Sequence, residues 1–178
     1  MRKISVLLLT AAAAVVFAQD RQPEHEPDVP FVPTPQEVVD EMLKLANVHK
    51  GDVLFDLGCG DGRIVISAVK QYGIEAYGVD IDPERIEESK ANAQKAGVAG
   101  KARFIEGDLF ETDISKASVV TLYLLHSVNL KLKPKLLAEL KPGSRVVSNT
   151  FSMDDWQPVK TIEAKGRTLY LWIIPEKK

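Results

Sequence analysis

Asp56-Leu57-Gly58-Cys59-Gly60-Asp61-Gly62-Arg63 follows the apolar Val53, Leu54 and Phe55 and runs into the apolar-periodic stretch 64–69. A short strand, a glycine-dense turn and a helix bring backbone N–H groups close to a ligand. Glycine tolerates positive φ, and without a Cβ it lets the ligand sit against the main chain. The helix that follows presents its positive N-terminal end to that ligand. A chain built around this unit is held to an α/β sheet that binds at the carboxyl ends of its strands.

Spacing separates the ligands that use such a turn. A dinucleotide fingerprint wants G-x-G-x-x-G, whose third glycine lets helix and strand pack closely. Here the glycines fall at 58, 60 and 62, and Arg63 occupies the third-glycine position. Asp56 opens the run at the strand's carboxyl end. An acid there repels a pyrophosphate and suits an ammonium. S-adenosylmethionine carries an ammonium, a carboxylate, a ribose and an adenine, and no phosphate. Its methionine half is expected over Gly58, Cys59 and Gly60, beside Asp56.

Further acids fall where a nucleoside needs them. Tyr77-Gly78-Val79-Asp80 ends a second apolar strand, and Asp80 stands about 20 residues after the turn, the place of a bidentate ribose acceptor. Ala102-Arg103-Phe104-Ile105 is a third strand, followed by Glu106-Gly107-Asp108-Leu109. Asp108 is placed to accept from an exocyclic adenine amine, with Ile81 and Leu109 on the ring faces. One acid at a strand tip is ordinarily a solvated turn residue. Three at successive tips beside a glycine turn are a nucleoside site.

With these residues in hand, the chain resembles the class I S-adenosylmethionine-dependent methyltransferases. More narrowly, it resembles the small protein-lysine methyltransferases of archaea and their bacterial and mitochondrial relatives. The resemblance rests on Phe31-Val32-Pro33-Thr34-Pro35, 56–63, 78–80, 107–109, 119–125 with Asn129, 132–143 and Trp156-Gln157-Pro158. It implies a mostly parallel seven-stranded, doubly wound α/β sheet with a C-terminal antiparallel hairpin. It implies S-adenosylmethionine as cofactor, with Thr34 and Gly107 joining the binding set. A protein presenting a lysine is the implied acceptor. Phe31 stands where the subfamily more often has tyrosine. A small-molecule methyltransferase and a binding module without turnover are the competing readings. The first usually brings a lid or substrate elements, of which this chain has little; the second sits poorly with an intact set of acids and glycines.

A lysine amine must lose its proton before it attacks, which desolvation in an aromatic channel favours, and π faces stabilise the charge that then develops on nitrogen. Tyr123, near the carboxyl end of the fourth strand, is the leading channel residue; Phe31, Trp156 and then Phe151 follow. Cys59, the single cysteine, reads as a compact turn residue because no histidine partners it in sequence. No Cys/His cluster has metal-ligand spacing, so no metal is expected. The formal net charge of −2 supplies no basic field for nucleic acid. A monomer is expected.

The chain's 178 residues suit one domain. Residues 1–18 differ from the rest: Arg2-Lys3 precede an uncharged run, and Val16-Phe17-Ala18 offers a small-residue cleavage site. They read as a secretory signal, or as an uncleaved N-terminal anchor, which places the enzyme outside the cytoplasm or on a membrane. Residues 19–33 are proline-rich and charged, an extended linker, and 34–178 form the methyltransferase domain.

Thr34-Pro35-Gln36-Glu37 predicts a capping box opening a helix that ends near Lys50-Gly51. Strand 53–56, helix 61–71, strand 75–79, helix 83–96 and strand 102–106 follow. An unbroken apolar strand is expected over 119–125 and a helix over 129–140, started late or kinked by Pro134. A strand at 144–150 and a hairpin of 157–163 with 167–174 complete the sheet.

Overall fold

The computed structural model describes residues 29–176. The reading of 1–18 as a signal, and most of the 19–33 linker, lies outside those residues. Four helices and seven strands alternate in the order α1 Gln36–Leu45, β1 Val53–Leu57, α2 Arg63–Tyr72, β2 Glu75–Asp80, α3 Pro83–Lys95, β3 Ala102–Glu106, β4 Val119–Leu122, α4 His126–Glu139, β5 Arg145–Asn149, β6 Lys160–Ala164 and β7 Arg167–Ile173. They form one seven-stranded sheet ordered β3-β2-β1-β4-β5-β7-β6. β1 to β5 are parallel, and β7 runs antiparallel to both β5 and β6. This is the expected α/β sheet with its terminal hairpin.

Strand alternation sorts the side chains into two cores. Leu54, Ala76, Val119, Val147 and Leu169 face Val38, Met42 and Leu43 of α1 and Val65 and Ala68 of α2. Phe55, Leu57, Val120, Leu122, Val146 and Trp172 face Val128, Leu132 and Leu136 of α4. The chain leaves β1 for β2 on one side and joins β4 on the other. The β1/β4 boundary is therefore the switch point at which open α/β sheets bind ligands.

Three expectations are corrected. Thr34 does not cap α1: Pro35 is the N-cap, no side-chain cap bond forms, and the Pro35 carbonyl receives Val38 and Val39 N–H at 2.9 and 3.0 Å. β4 ends at Leu122, so Tyr123, Leu124 and Leu125 lie in the connection to α4. α4 starts before Pro134, not at it. Its first turn is locked by Val128 and Asn129 N–H on the Leu125 carbonyl, and Asn129 Nδ2 donates to Ser148 Oγ and the Phe151 carbonyl.

Below the sheet, opposite the switch point, Asp52 is buried against Arg145 and accepts from Ser118 Oγ at 2.7 Å and the His49 N–H at 2.9 Å. Burial opposes ionisation there, but these hydrogen bonds and the Arg145 charge outweigh it and hold Asp52 below its ordinary value.

Candidate active site

The turn after β1 is fixed by the tip of β2. Gly58 and Cys59 N–H both donate to the Val79 carbonyl, at 2.8 and 3.0 Å, and Gly60 N–H donates to Asp80 Oδ2 at 2.8 Å. Gly58 and Gly60 sit at φ 78° and 52°, a region that side chains rarely adopt. A Cβ on Gly58 would lie 2.7 Å from Leu124 Cδ2, and one on Gly60 2.3 Å from Phe31 Cε2. The missing side chains are thus what allow the post-β4 loop and the N-terminal arm to close on the turn. Arg63 Nη1 donates to the Thr34 carbonyl at 2.8 Å while its Nε reaches Asp61 at 2.9 Å. The bulky cation that excluded a dinucleotide turn instead ties arm, turn and α2 together.

These elements enclose a cavity of about 360 Å³ over the β1/β4 switch point, a volume suited to a nucleoside-sized ligand. Of the predicted residues, Thr34, Asp56, Gly58, Cys59, Asp80, Ile81, Gly107, Asp108, Leu109, Tyr123 and Phe31 line it. Gly60 lies beneath the Phe31 ring, which is 46 % exposed and has the Arg85 guanidinium 5.1 Å from its centre. Trp156 is not among the lining residues; it packs on Trp172 with ring centres 5.7 Å apart. Phe151 is also outside the lining. Asp61, Arg63, Asp82, Arg85, Leu124 and Val128 line the cavity and had no place in the predicted set. Arg85 carries a sequence signal in hindsight: it stands one helical turn after Asp82, on the helix that the Asp80 tip feeds.

Asp56 is 2 % exposed and accepts one hydrogen bond, from Thr121 Oγ1 at 2.7 Å. Burial, with smaller contributions from the Asp80 and Asp61 charges, pushes it up to about 7, against the opposing Thr121 bond. A buried acid with one neutral donor, facing a cavity, is what an incoming ammonium would complete.

Asp80 is also raised, chiefly by burial, against the N–H bonds it accepts. Each of its oxygens takes one backbone N–H, from Gly60 at 2.8 Å and Asp82 at 3.1 Å, leaving a further acceptor position on each for a hydroxyl. Asp108 Oδ1 accepts Phe110 N–H at 2.7 Å. Cys59 is 5 % exposed, and burial pushes its thiol well up, so it fills the turn as an inert residue. Among the described residues no group of three or more acids, histidines or cysteines is gathered to hold a metal.

Sheet order, glycine turn and acid-lined cavity together define a class I S-adenosylmethionine-dependent methyltransferase. The chain belongs to the ANTKMT methyltransferase domain family, whose model matches residues 56–160. It is 50 % identical over 157 residues to a protein-lysine N-methyltransferase of Saccharolobus islandicus, covering 85 % of this chain and 98 % of that one. It is 35 % identical over 135 residues to the adenine nucleotide translocase lysine N-methyltransferase of Mus musculus, spanning 75 % of this chain and only 58 % of the mouse protein. The solved structure of an RNA methyltransferase from Salinibacter ruber in complex with S-adenosyl-L-homocysteine superimposes with a TM-score of 0.81 at 54 % identity, over 83 % of this chain and 96 % of that one.

With Asp80 as the ribose acceptor, its replacement by alanine is expected to weaken S-adenosylhomocysteine binding by roughly 1.5–3 kcal/mol, since a charge-assisted contact and the anchor of Gly60 would be lost together. Isothermal titration of the folded variant measures this. Wild-type affinity would rule out the ribose assignment.

Proposed function

We propose that the chain transfers a methyl group to the ε-amine of a lysine on a protein. The observation that carries this reading is the near full-length match to the Saccharolobus protein-lysine N-methyltransferase. The cofactor supplies an electrophilic methyl on its sulfonium, and the sulfur keeps the bonding pair when the methyl leaves. The chain's residues bind and orient. Asp56 meets the ammonium, Asp80 the ribose hydroxyls, Asp108 the adenine amine, and Ile81 and Leu109 the ring faces. Tyr123 faces the acceptor across the cavity. Thr34, 4 % exposed in the wall, and Phe31 over the turn close the methionine end from water. Holding the amine in line with the methyl supplies much of the acceleration.

A second reading has a specific observation behind it, the Salinibacter enzyme being an RNA methyltransferase by name. The charge balance favours the protein acceptor. A formal net charge of −2 offers little to a phosphate backbone. Tritiated methyl transfer to mixed protein extract and to total RNA, run in parallel with mass spectrometry of the products, tests the choice. Label on lysine supports the proposal. Label on RNA, on small metabolites, or on arginine or glutamate sinks it and leaves the methyltransferase class standing.

Tyr123→Ala is expected to cut turnover at least tenfold with little change in S-adenosylhomocysteine affinity, the split of a residue that acts mainly in the transition state. Equal losses in both would make Tyr123 a cofactor contact.

Residues 1–18 are proposed to direct the chain out of the cytoplasm or to anchor it, supported by the Arg2-Lys3 start and the uncharged run after it. No helix among the described residues is long and apolar enough to cross a membrane. Mass spectrometry of native protein is expected to find Gln19 at the N-terminus. Intact Met1 in a soluble cytoplasmic fraction would refute both versions.

A further inference from the structure

The β6–β7 hairpin brings a cation against Tyr123, a residue of the cavity wall. Lys165 and Gly166 turn the chain at φ 52° and 74°, and Arg167 is the first residue of β7, paired across the turn with Ala164. The hairpin is pinned in register. Asn149 pairs with Leu169, and Thr150 N–H donates to the Thr168 carbonyl at 2.7 Å. Arg167 therefore stands beyond the carboxyl end of β5, on the edge where Tyr123 leaves β4. Its Nη1 donates to Tyr123 Oη at 2.5 Å, and its guanidinium carbon is 5.1 Å from the centre of the Tyr123 ring. None of the ion pairs among the described residues involves Arg167. A half-buried cation with no carboxylate partner thus sits against the one hydroxyl that the lysine reading places at the acceptor.

We propose that Arg167 is a positioning residue that holds the Tyr123 hydroxyl toward the acceptor and makes the site selective for an uncharged amine. The inference rests on the lysine reading above. A phenol oxygen has two lone pairs and one hydrogen, and arginine can only donate. Arg167 consumes one lone pair from a fixed direction. The other is left to accept an N–H of the incoming amine, which turns the nitrogen lone pair toward the methyl. An ammonium has no lone pair with which to attack. A fixed positive charge nearby raises its energy relative to the amine, so the proton passes to water before transfer. Lysine at 167 would keep the charge without the planar fork that fixes the direction.

Other titratable groups border this place. Glu163 on β6 accepts from Thr168 Oγ1 at 2.6 Å, Lys165 lies in the hairpin turn, and His126 on α4 pairs with Asp154 at 3.0 Å. Asp56 on β1 faces the same cavity. All five are common to the variants compared below, and saturating cofactor fixes the state of Asp56.

The test is the pH profile of methyl-lysine formation at saturating mixed protein extract and saturating cofactor, for wild type, R167Q and R167K. The acidic limb of turnover reports ionisations in the loaded complex. In R167Q that limb is expected to move up by about one pH unit or more, because a unit charge a few ångströms from the amine has been removed. In R167K it stays near wild type while turnover falls. Affinity for S-adenosylhomocysteine, measured by titration calorimetry, is unchanged in both variants, since Arg167 does not line the cavity. With ring-labelled tyrosine, the Tyr123 resonance, assigned through Tyr123→Phe, shifts in R167Q without any turnover. An unmoved limb in R167Q, or equal turnover losses in both variants without a limb shift, reduces Arg167 to a hairpin anchor and overturns the proposal. Wild type that forms no methyl-lysine overturns the acceptor reading instead, which separates the two failures.

Discussion

Gly60→Val is expected to lower S-adenosylhomocysteine affinity about a hundredfold while the sheet stays folded. Gly60 sits at φ 52°, where a β-branched residue is strained by roughly 1–3 kcal/mol. Its Cβ would stand 2.3 Å from Phe31 Cε2, so the arm must also move off the turn. The turn can relax only by releasing Gly60 N–H from Asp80 Oδ2, a 2.8 Å bond that joins the turn to the tip of β2. The two costs together reach the roughly 2.7 kcal/mol of a hundredfold loss. Calorimetric titration, with thermal unfolding to confirm the fold, measures it. Repeating the measurement in Phe31→Ala removes the ring contact and leaves the backbone strain, so most of the loss is expected to persist. Wild-type affinity in folded Gly60→Val would take the turn out of the cofactor site.

The same turn shows why so much of the site is legible in the sequence. Backbone geometry that only glycine supplies leaves a mark at fixed spacing, and acids at the tips of β1, β2 and β3 fall next to one another because those strands are neighbours in a parallel sheet. Asp56, Asp80 and Asp108 therefore converge without any long-range pairing having to be guessed. Elements set by distant partners read less well. The apolar run 119–125 has the pattern of one strand, yet β4 ends where Ser148 of β5, its last partner, pairs with Leu122. Leu124 is buried by closing on Gly58 instead of by pairing. Thr34 has the composition of an N-cap, but Arg63 holds its carbonyl and the helix begins one residue later. Pro134 does not set the start of α4, because the Asn129 bonds that lock its first turn reach across to β5 and beyond. Trp156 has the marks of a site residue, an aromatic beside a loop, and its indole is instead held by Trp172. Arg167 has no local signal: only the register of β7 against β5 carries it to Tyr123.

Cofactor affinity is expected to rise with pH, by up to about a hundredfold between pH 5 and pH 8, with Asp56 as the titrating group. Asp56 titrates at about 7 in the free chain because it is buried, with Asp80 and Asp61 adding negative charge around it. Below that value it is neutral, and an incoming ammonium must first displace its proton. Each pH unit below 7 then costs about tenfold in affinity. Above 7 the carboxylate is already charged and the curve flattens.

Stability of the unliganded chain runs the other way. The folded-state value lies above the ordinary carboxylate value, so the folded chain holds a proton that the unfolded chain has released. Stability is full below about pH 4 as far as this group is concerned, falls as pH rises, and levels off above 7, a loss on the order of 4 kcal/mol. Asp52, whose value is lowered, acts outside this window, losing its contribution only at acid pH. Asp80 is raised by burial and adds to the fall in the same direction. Asp56→Asn is expected to remove most of the slope in both measurements. It should stabilise the free chain at pH 8 and weaken S-adenosylhomocysteine binding most at that same pH, where wild type has gained its charge. Calorimetric titration and thermal unfolding at pH 5, 6, 7 and 8 provide the comparison. A wild-type affinity independent of pH, or an Asp56→Asn variant that keeps the slope, would move the ammonium contact to another residue, with Asp80 the next carboxylate in the cavity wall.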